Sequence, residues 1–580
     1  MATIQAKISR GHKYWYIVES QRINGKPRPV VLAYLGKPED LLKRLQGFCT
    51  NGTLKSYSHG GVCALLEVAR RLDMAAVINR HVKSSRSYRA QKPIKNNLTV
   101  GMTIVLSAVG RACMPTSKSQ WAGWAHSTSC GYLLRRNLSM LDSQHFWDMM
   151  DAVPVDAIES IERQLLEKAF GLYNLDSDTL FLDTTNFFTF IDSTNQHCTI
   201  AQRGKNKQKR NDLRQVGMAM IVTRKDMVPL FHISYKGNMH DTNIFGDVIL
   251  KVRRRLSDLS LDSDRHTLVF DRGFNSRENL ALIKKLAMYY VGALTPVHHK
   301  QLIMNAAENF QEIPINGLPM QVFRDKRIIW DEERTVVVFI SENFKAGQIR
   351  GVYQSLEKKI RQLQKLKLSL EHSSAKRHGK DKLQERIKQI IKGQFTANLI
   401  NWALQQDSSG KLELQFAVDQ QKLDELEDAL GFRILMTNRH DWDTAEIIMA
   451  YYGQSQIEHT FKNLKNPYHL AVRPQFHWTD QKIIVHNFIC VIGYLLSAII
   501  LRQARMQAGF NGTMDTLLDS LNAIRLAAVL EQSDSPGPAK ASYQLEQMSE
   551  EQQRLMHGLE IDRIHLHRPL FNGVGVYESK

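Results

Sequence analysis

The sequence predicts an α/β protein with a mixed central sheet, and the order of its strand-like and helical segments supports this fold class. Residues 179–190 and 215–237 contain three consecutive strand-like runs rich in Val, Ile, Phe and Thr. A helical segment, a strand at 266–274, a second helical segment and a strand at 289–295 follow. Three strands in succession and then an alternation of helix and strand indicate a mixed α/β sheet.

The size and charge of the chain limit what it can be. Its 580 residues exceed the size at which a single hydrophobic core stops growing, so we expect roughly two to four domains. Lys and Arg number 77 against 58 Asp and Glu, which gives a net charge of +19. A large protein this basic usually binds a polyanion, and nucleic acid and an anionic membrane surface are the two candidates.

Two features make the membrane the weaker candidate, and the cysteines indicate a reducing compartment. The N-terminal segment has no apolar stretch typical of a signal peptide. The most apolar run, 488–500, falls short of the ~20 residues that a spanning helix needs, so we expect a buried core helix. The six cysteines follow no disulfide or zinc pattern. We therefore expect no membrane partner and a cytoplasmic protein.

Changes in composition and periodicity divide the chain into six segments. A hairpin signal, Asn24-Gly25, is flanked by Arg22, Lys26 and Arg28, and either a DNA-contacting ribbon or a structural hairpin fits it. The predicted segments are a β-rich N-terminal segment (1–57), a helical DNA-binding or dimerisation region (58–175), the first part of the sheet core (176–296), an insertion of strands and a helical hairpin (297–430), the second part of the core (431–505) and a helical C-terminal region (506–580).

Two aspartates stand at notable places in the predicted strands. Asp183 lies inside the apolar run LFLDTT, where an unpaired charge is costly, and Asp271 ends the run LVFD. Glu458 lies on a helical segment near 451–465 that also carries Tyr451 and Lys465, each seven residues away on one stripe. Each carboxylate alone fits an ordinary structural role. If all three converge, they suit Mg²⁺, which prefers oxygen ligands and keeps waters and phosphates.

These segments together resemble the DDE transposases of bacterial insertion sequences. LFLDTTNFF, LVFDRGF and YGQSQIEHTFKNLK are similar to the three signature segments of that family, in the same order. The similar branch has a Tyr-Arg-Glu-Lys signature helix, which Tyr451, Glu458 and Lys465 match, whereas Gln454 stands where the family usually has Arg. Because Gln lacks the charge and the bidentate fork of Arg, a role for Arg in gripping DNA or forming a hairpin intermediate does not carry over.

The resemblance implies an RNase H-like catalytic core interrupted by the insertion. It implies that Asp183, Asp271 and Glu458 are the catalytic residues and hold two Mg²⁺ ions, for which Mn²⁺ substitutes. The implied reaction is hydrolysis at the terminal inverted repeats of the transposon, which frees a 3′-hydroxyl that attacks target DNA. The implied partners are double-stranded DNA and a second copy of the chain, as a homodimer on DNA.

Other residues are candidates for DNA contact. The segment 203–214 has six basic residues and one acidic residue, and a solvated loop fits it as well as phosphate contact. Asn238 and Asp241 could support the active site, although a turn explains them equally well. Trp330 could stack on a displaced base, and His477 and Trp478 could contact DNA, but a packing role fits these residues too. The predicted DNA-binding residues are Tyr451, Gln454, Lys465, Lys462, Arg473, Lys205, Lys207, Arg210 and Arg272.

Two alternatives to a transposase stay open. An RNase H-like nuclease would cut DNA without joining it. A DNA-binding protein descended from a transposase would have lost the chemistry, although three retained carboxylates argue against that.

Overall fold

A computed structural model describes most of the chain. The described residues are 2–9, 12–23, 26–37, 42, 53–82, 98–192, 194–206, 210–261, 266–371, 379–393, 395–406, 412–473, 475–531 and 540–575. Asn24, Gly25, Lys207 and the turn at 372–378 in the predicted helical hairpin lie outside them.

Within the described residues, the strands lie in four sheets. Their bounds are β1 (Ala2–Ser9), β2 (His12–Ile23), β3 (Lys26–Gly36), β4 (Thr53–Ser58), β5 (Thr179–Thr189), β6 (Arg214–Thr223), β7 (Pro229–Lys236), β8 (Thr267–Phe270), β9 (Tyr289–Leu294), β10 (Gln311–Ile315), β11 (Leu318–Ile329), β12 (Glu332–Ile340), β13 (Ile400–Gln406), β14 (Leu412–Val418), β15 (Phe432–Thr437), β16 (Arg525–Glu531) and β17 (Lys540–Leu545).

Helices make up most of the remaining described structure. Their bounds are α1 (Gly60–Arg71), α2 (Met74–His81), α3 (Val100–Cys113), α4 (Trp121–His126), α5 (Cys130–Leu134), α6 (Ser143–Asp151), α7 (Ile158–Tyr173), α8 (Asp241–Asp258), α9 (Arg277–Lys285), α10 (Lys300–Glu308), α11 (Glu342–Glu371), α12 (Lys380–Ile391), α13 (Gln420–Asp428), α14 (Thr444–Gly453), α15 (Ser455–Lys465), α16 (Asp480–Ala508), α17 (Met514–Asn522), α18 (Glu550–Gly558) and α19 (Ile561–His567).

The chain forms two compact units. The smaller unit comprises Met1–Glu67, Thr116–Asp142 and Gln503–Leu570, and the larger unit comprises Val68–Pro115, Ser143–Arg502 and Phe571–Lys580.

A nine-stranded mixed sheet is the centre of the larger unit, which confirms the predicted α/β class. Its strand order is β10-β11-β12-β15-β9-β8-β5-β6-β7. The consecutive strands β5, β6 and β7 pair antiparallel, whereas β8 and β9, which alternate with helices, add in parallel beside β5. Phe181 and Phe270, on the two neighbouring strands β5 and β8, are fully buried, so the hydrophobic core lies against this part of the sheet.

The insertion contributes to this sheet and also has a core of its own. Strands β10, β11 and β12 fall inside the segment 297–430, yet β12 pairs with β15 and so extends the central sheet. The helices α11 and α12 pack with β13 and β14 around a separate cluster that includes Leu363, Ile387 and Leu414. The insertion is therefore part sheet extension and part independent helical hairpin.

The helix α16 contains the apolar run 488–500. By length and composition it is long and apolar enough to cross a membrane, but 94% of its most apolar 18-residue window is buried inside the protein. The apolar run thus lies in a longer helix than the sequence indicated, and its side chains pack as protein core.

The smaller unit shows that the predicted helical C-terminal region was wrong in part. Residues 525–531 and 540–545 form β16 and β17, and β16 pairs antiparallel with β4 from the N-terminal part of the chain. The run RLAAVLE gives no clear helical or strand period, and its partner strand lies more than 460 residues away, so local pattern could not reveal the pairing. A separate sheet, β1-β2-β3, also belongs to this unit.

A buried histidine makes the stability of the smaller unit depend on pH. His59 is fully buried, and its Nδ1 lies 2.8 Å from the hydroxyl of Ser129. Burial, and then the nearby His565, lower the pKa of His59 to about 3. Below the ordinary pKa of about 6.5 the unfolded chain therefore binds a proton that the folded protein does not, so stability falls as pH falls.

We expect the wild type to lose about 2 kcal/mol of unfolding free energy through His59 between pH 6.5 and pH 5. His59→Gln removes this contribution, so its stability should depend less on pH, although it starts from a lower value at pH 7. Urea unfolding at several pH values measures the difference. His126→Gln, at an exposed histidine of the same unit, is the control, and equal pH slopes for all three proteins would contradict the prediction.

Candidate active site

The register of two parallel strands brings two predicted catalytic residues together. β5 pairs with β8 so that Leu182 lies opposite Phe270. The next residues along the two strands are Asp183 and Asp271, which therefore occupy neighbouring positions about 4.8 Å apart across the sheet. Residues opposite each other in a sheet point to the same face, so we expect the two aspartate side chains to lie on one face at the end of β8.

The side chain of each aspartate accepts a hydrogen bond from the backbone N–H of the next residue. One oxygen of Asp183 accepts a hydrogen bond from the backbone N–H of Thr184, at 2.7 Å. One oxygen of Asp271 accepts from the backbone N–H of Arg272, also at 2.7 Å. Asp271 caps the short turn after β8 in this way, and its side chain is exposed. These hydrogen bonds fix the orientation of each carboxylate relative to its strand.

The helix α15 places the third carboxylate beside the same strand. At one end, Gly453, just before α15, packs so closely on β5 that an added Cβ would lie 2.6 Å from the ring of Phe181. At the other end, Lys465 donates a hydrogen bond to the hydroxyl of Thr185, and its Nζ lies 5.4 Å from the ring centre of Phe187. The helix therefore runs in the same direction as β5.

Along the helix, Glu458 lies between Gly453 and Lys465. Along β5, Asp183 lies between Phe181 and Thr185, the residues that they contact. Glu458 is in the first turn of α15 and is exposed. Seven residues of helix span ~10 Å, so Glu458 and Lys465 lie on one stripe of α15. Lys465 contacts the strand residue two positions after Asp183, so this stripe follows the face of β5 that carries Asp183.

The single signature helix expected from the sequence is instead two helices. α14 ends at Gly453, and α15 begins at Ser455. The backbone N–H of Gln454 donates to the carbonyl of Tyr451 at 3.0 Å, which closes a tight turn. The one continuous helix on which the shared stripe of Tyr451, Glu458 and Lys465 was predicted is therefore interrupted between Tyr451 and Glu458.

A divalent cation fits the donor set only in part. Among the residues that the structure describes, no three His, Cys, Asp or Glu side chains form a group that could hold a metal ion. Glu458 thus does not complete a three-carboxylate group with the aspartate pair. One or two carboxylates with substrate phosphates are nevertheless the usual protein ligands of Mg²⁺, and the Asp183–Asp271 pair supplies them.

Tyr451 is a buried neighbour of Asp271. Its side chain is only 9% exposed. Burial, and then the charge of Asp271, raise the pKa of the Tyr451 phenol, and Arg433 opposes this shift. The guanidinium of Arg433 lies 5.9 Å from the ring centre of Tyr451. Together with Asp271 and Arg272, these two side chains line a cavity of about 280 Å³, so Tyr451 approaches the site from inside the protein.

A larger basic cavity opens beside Arg272, and its lining was not predicted apart from Arg272 and Trp330. Its volume is about 1090 Å³. Charged and aromatic side chains line it: Arg272, His298, His299, Lys300, Arg327 and Trp330. The segment 296–300 follows β9 directly, and β9 is the parallel neighbour of β8. Residues just after parallel strands meet at one edge of a sheet, which is the sequence signal that could have found them.

The predicted DNA-binding residues have different surroundings. Arg272, Lys462 and Lys205 are exposed, and Gln454 and Arg473 are half-buried. Arg210 forms an ion pair with Asp212, whose carboxylate it contacts at 2.8 Å through two nitrogen atoms.

Two of the weaker candidates differ in exposure. His477 is 5% exposed and packs against Trp147 and His486, with ring centres 5.2 and 4.4 Å away, so the DNA contact suggested for it was wrong. Trp478, the next residue, is 55% exposed.

A comparison with protein families finds a matching domain in this part of the chain. Residues 188–474 match the model of a family described as Transposase DDE domain. The match begins five residues after Asp183 and includes Asp271 and Glu458. It supports a DDE transposase as the class of protein.

Two further comparisons add no argument. The cryo-EM structure of the piggyBac transposase synaptic complex with hairpin DNA has 9% sequence identity, covers 79% of this chain and 79% of that chain, and gives a TM-score of 0.36. A likeness at that level does not establish a shared fold. Among curated proteins, none matches.

The close packing of Gly453 on Phe181 gives a test of how α15 is positioned. Gly453→Ala should destabilise the protein by about 1–3 kcal/mol, because the new methyl group overlaps a fully buried ring. Gly351→Ala, at a position in α11 where an added Cβ meets nothing within 4 Å, should stabilise by up to about 1 kcal/mol. Urea denaturation of both variants measures this, and equal stabilities would show that α14 does not press on β5.

Proposed function

We propose that the protein is a DDE transposase that cleaves the ends of its own transposon and joins the freed 3′-hydroxyl to target DNA. The observation that carries the proposal is the parallel register of β5 and β8, because Asp183 and Asp271 directly follow its last pair, Leu182 and Phe270. Asp183 lies five residues before the segment 188–474 that matches a transposase DDE domain, and Asp271 lies inside that segment. A net charge of +19 suits a DNA substrate.

The sheet order supports an RNase H-like core for this activity. Three antiparallel strands, β5 to β7, are extended beyond β5 by two parallel strands that alternate with helices. We assign these five strands to the catalytic core. In chain order, Asp183 lies on the first strand and Asp271 directly follows the fourth.

The aspartate pair would hold two Mg²⁺ ions, or Mn²⁺ in their place. Such ions, when bound, activate the attacking oxygen and stabilise the leaving oxygen of the phosphodiester. Glu458 would complete the site once metal and DNA neutralise the repulsion among three carboxylates. Glu458 is exposed on the stripe of α15 that follows β5. Packing would therefore not oppose a movement of its side chain toward the aspartates.

Basic side chains near the pair would hold the DNA backbone. Lys465 is fixed by Thr185 beside the strand of Asp183, and Arg272 follows Asp271 directly. Both would contact phosphates on either side of the reacting bond. Lys462 and Lys205 are exposed and would add contacts further along the duplex. Tyr451 would act through Asp271 rather than on DNA, since it is buried.

The proposed partners are the terminal inverted repeats, target DNA and a second copy of the chain on DNA. The proposed location is the bacterial cytoplasm, at the nucleoid.

Substitution of the carboxylates tests the chemistry. Asp183→Asn, Asp271→Asn and Glu458→Gln should each lower end cleavage at least about a hundredfold, because each removes charge that metal ions require. The assay incubates purified protein with Mg²⁺ and the DNA that flanks its own gene, and sequencing gels resolve cut and joined strands. Glu446→Gln, in the capping box of α14, is the matched control and should keep activity.

Three outcomes separate the candidate functions. Metal-dependent cuts and joined products that vanish in the three variants support the transposase. Cuts without joined product favour an RNase H-like nuclease. Tight, end-specific binding without any cut by the wild type would contradict both and leave a DNA-binding protein.

Salt dependence tests the phosphate contacts. Lys462→Gln should weaken binding to all DNA sequences and lower the slope of log K against log salt by about 0.9, the value of one phosphate contact. Lys365→Gln, at an exposed position on α11, should leave the slope unchanged. Fluorescence anisotropy at several salt concentrations measures both, and equal slopes would remove Lys462 from the interface.

A further inference from the structure

Three aromatic side chains form an exposed patch in the larger unit. Phe190, Phe476 and Trp478 are 51%, 64% and 55% exposed, and we call them the aromatic patch. The rings of Phe190 and Phe476 are 5.5 Å apart and tilted by 33°. His197 meets Trp478 edge to face at 6.1 Å. Exposed apolar side chains that lie near one another mark an interaction site more often than single ones do.

The backbone beneath the patch is held by a buried polar network. The backbone N–H of Phe190 donates to the carbonyl of Gln475 at 2.9 Å. The buried side chain of Gln475 donates to Asn487 at 2.7 Å, and Asn487 donates to Ser234 at 2.8 Å. The two segments that carry Phe190 and Phe476 are thus fastened to each other and to the core.

The second side of the patch is fastened in the same way. Asn195 donates a side-chain hydrogen bond to the carbonyl of Trp478 at 3.2 Å. Asp480 accepts hydrogen bonds from the backbone N–H groups of Thr199 and Ile200, at 2.7 and 3.0 Å. Burial alone would raise the pKa of Asp480, but these bonds and the Thr199 hydroxyl lower it below its ordinary value. A rigid patch loses little entropy when it binds.

The charge around the patch selects an anionic partner. The basic segment 203–214 begins a few residues after His197, and its Arg203 and Lys205 are exposed. Arg214 joins this segment to the patch by donating to the carbonyl of Asn195 at 3.0 Å. Nucleic acid carries flat, apolar bases along a negatively charged phosphate backbone, so it matches both the aromatic rings and the positive charge. A second copy of the chain would instead bring the same positive charge to this surface.

The patch continues the strand that carries Asp183. β5 continues beyond Asp183 to its last residue, Thr189, and a parallel bridge joins Thr189 to Gln475. Seven residues separate Asp183 from Phe190, which is about 23 Å of strand. At about 3.4 Å per nucleotide, this distance corresponds to about seven nucleotides of duplex DNA.

We propose that the aromatic patch stacks on unpaired bases of the DNA strand bound in the active site, about seven nucleotides from the scissile phosphate. The inference rests on the proposed function, because the active site supplies the DNA strand. Stacking on aromatic rings tolerates any base, so the patch would favour opened DNA over paired DNA without selecting a sequence.

Binding measurements with and without the patch test this proposal. The DNA is the transposon end, either fully paired or with three mismatched pairs centred seven nucleotides to either side of the cleavage point, in EDTA. The wild type should bind one mismatched form about tenfold or more tighter than paired DNA. Phe476→Ala and Trp478→Ala should lose this preference, whereas Trp478→Phe should keep most of it. Tyr353→Ala, at an exposed aromatic residue on α11, is the matched control.

Crosslinking shows the contact directly. 5-Iodouracil at the opened positions should crosslink to Phe476 or Trp478, as peptide mass spectrometry reports. Equal preference in the wild type and the alanine variants, at equal melting temperature, would overturn the proposal. Variants that change the oligomeric state in light scattering but not the preference would also overturn it and assign the patch to a protein partner.

Cleavage in Mg²⁺ keeps this inference separate from the proposed function. A wild type that cuts its ends, with alanine variants that show unchanged preference and no crosslink, contradicts the patch alone. A wild type that never cuts, with the preference and crosslink intact, contradicts the transposase and leaves a DNA contact at the patch.

Discussion

The parallel register between β5 and β8 is the constraint on which the candidate site depends. It is set by apolar residues, since Leu180 to Leu182 and Leu268 to Phe270 pair in order and are buried. A slip by one residue would turn every side chain to the other face of the sheet and bury the aspartates. The hydrophobic core therefore fixes the position of the two charged groups, at the point where β8 ends and polar side chains can reach solvent.

The same strand organises the rest of the site through three separate contacts along its length. Gly453 packs against Phe181, and Lys465 contacts Thr185 and Phe187. Thr189 forms a β-bridge with Gln475. α14, α15 and the segment that follows them are thus all positioned against β5. This explains why a helix with an exposed Glu458 is held beside the aspartates, and why exposed aromatic rings lie at the far end of the same strand.

The two sides of Asp271 differ in burial and in charge. Behind Asp271 lie the buried Tyr451, whose phenol has a raised pKa, and the half-buried Arg433, whose guanidinium lies 5.9 Å from the Tyr451 ring centre. In front lie the exposed Arg272 and the basic cavity next to it. A phosphate chain would meet the exposed side first, where positive charge is concentrated and desolvation is cheap.

The sequence by itself determined the elements whose signal is local. The strand runs of β5 to β9, the helices between them and the apolar α16 followed from periodicity, and the aspartates stood out because charge is rare in apolar strands. Only the tertiary structure decided the rest. It paired β16 with β4 across the chain, joined β10 to β12 to the central sheet and broke the signature helix at Gln454. It also buried His477 and exposed Trp478, and it grouped His298, His299 and Arg327 around one cavity. These features depend on contacts between residues far apart in the chain, and no local pattern carries that information.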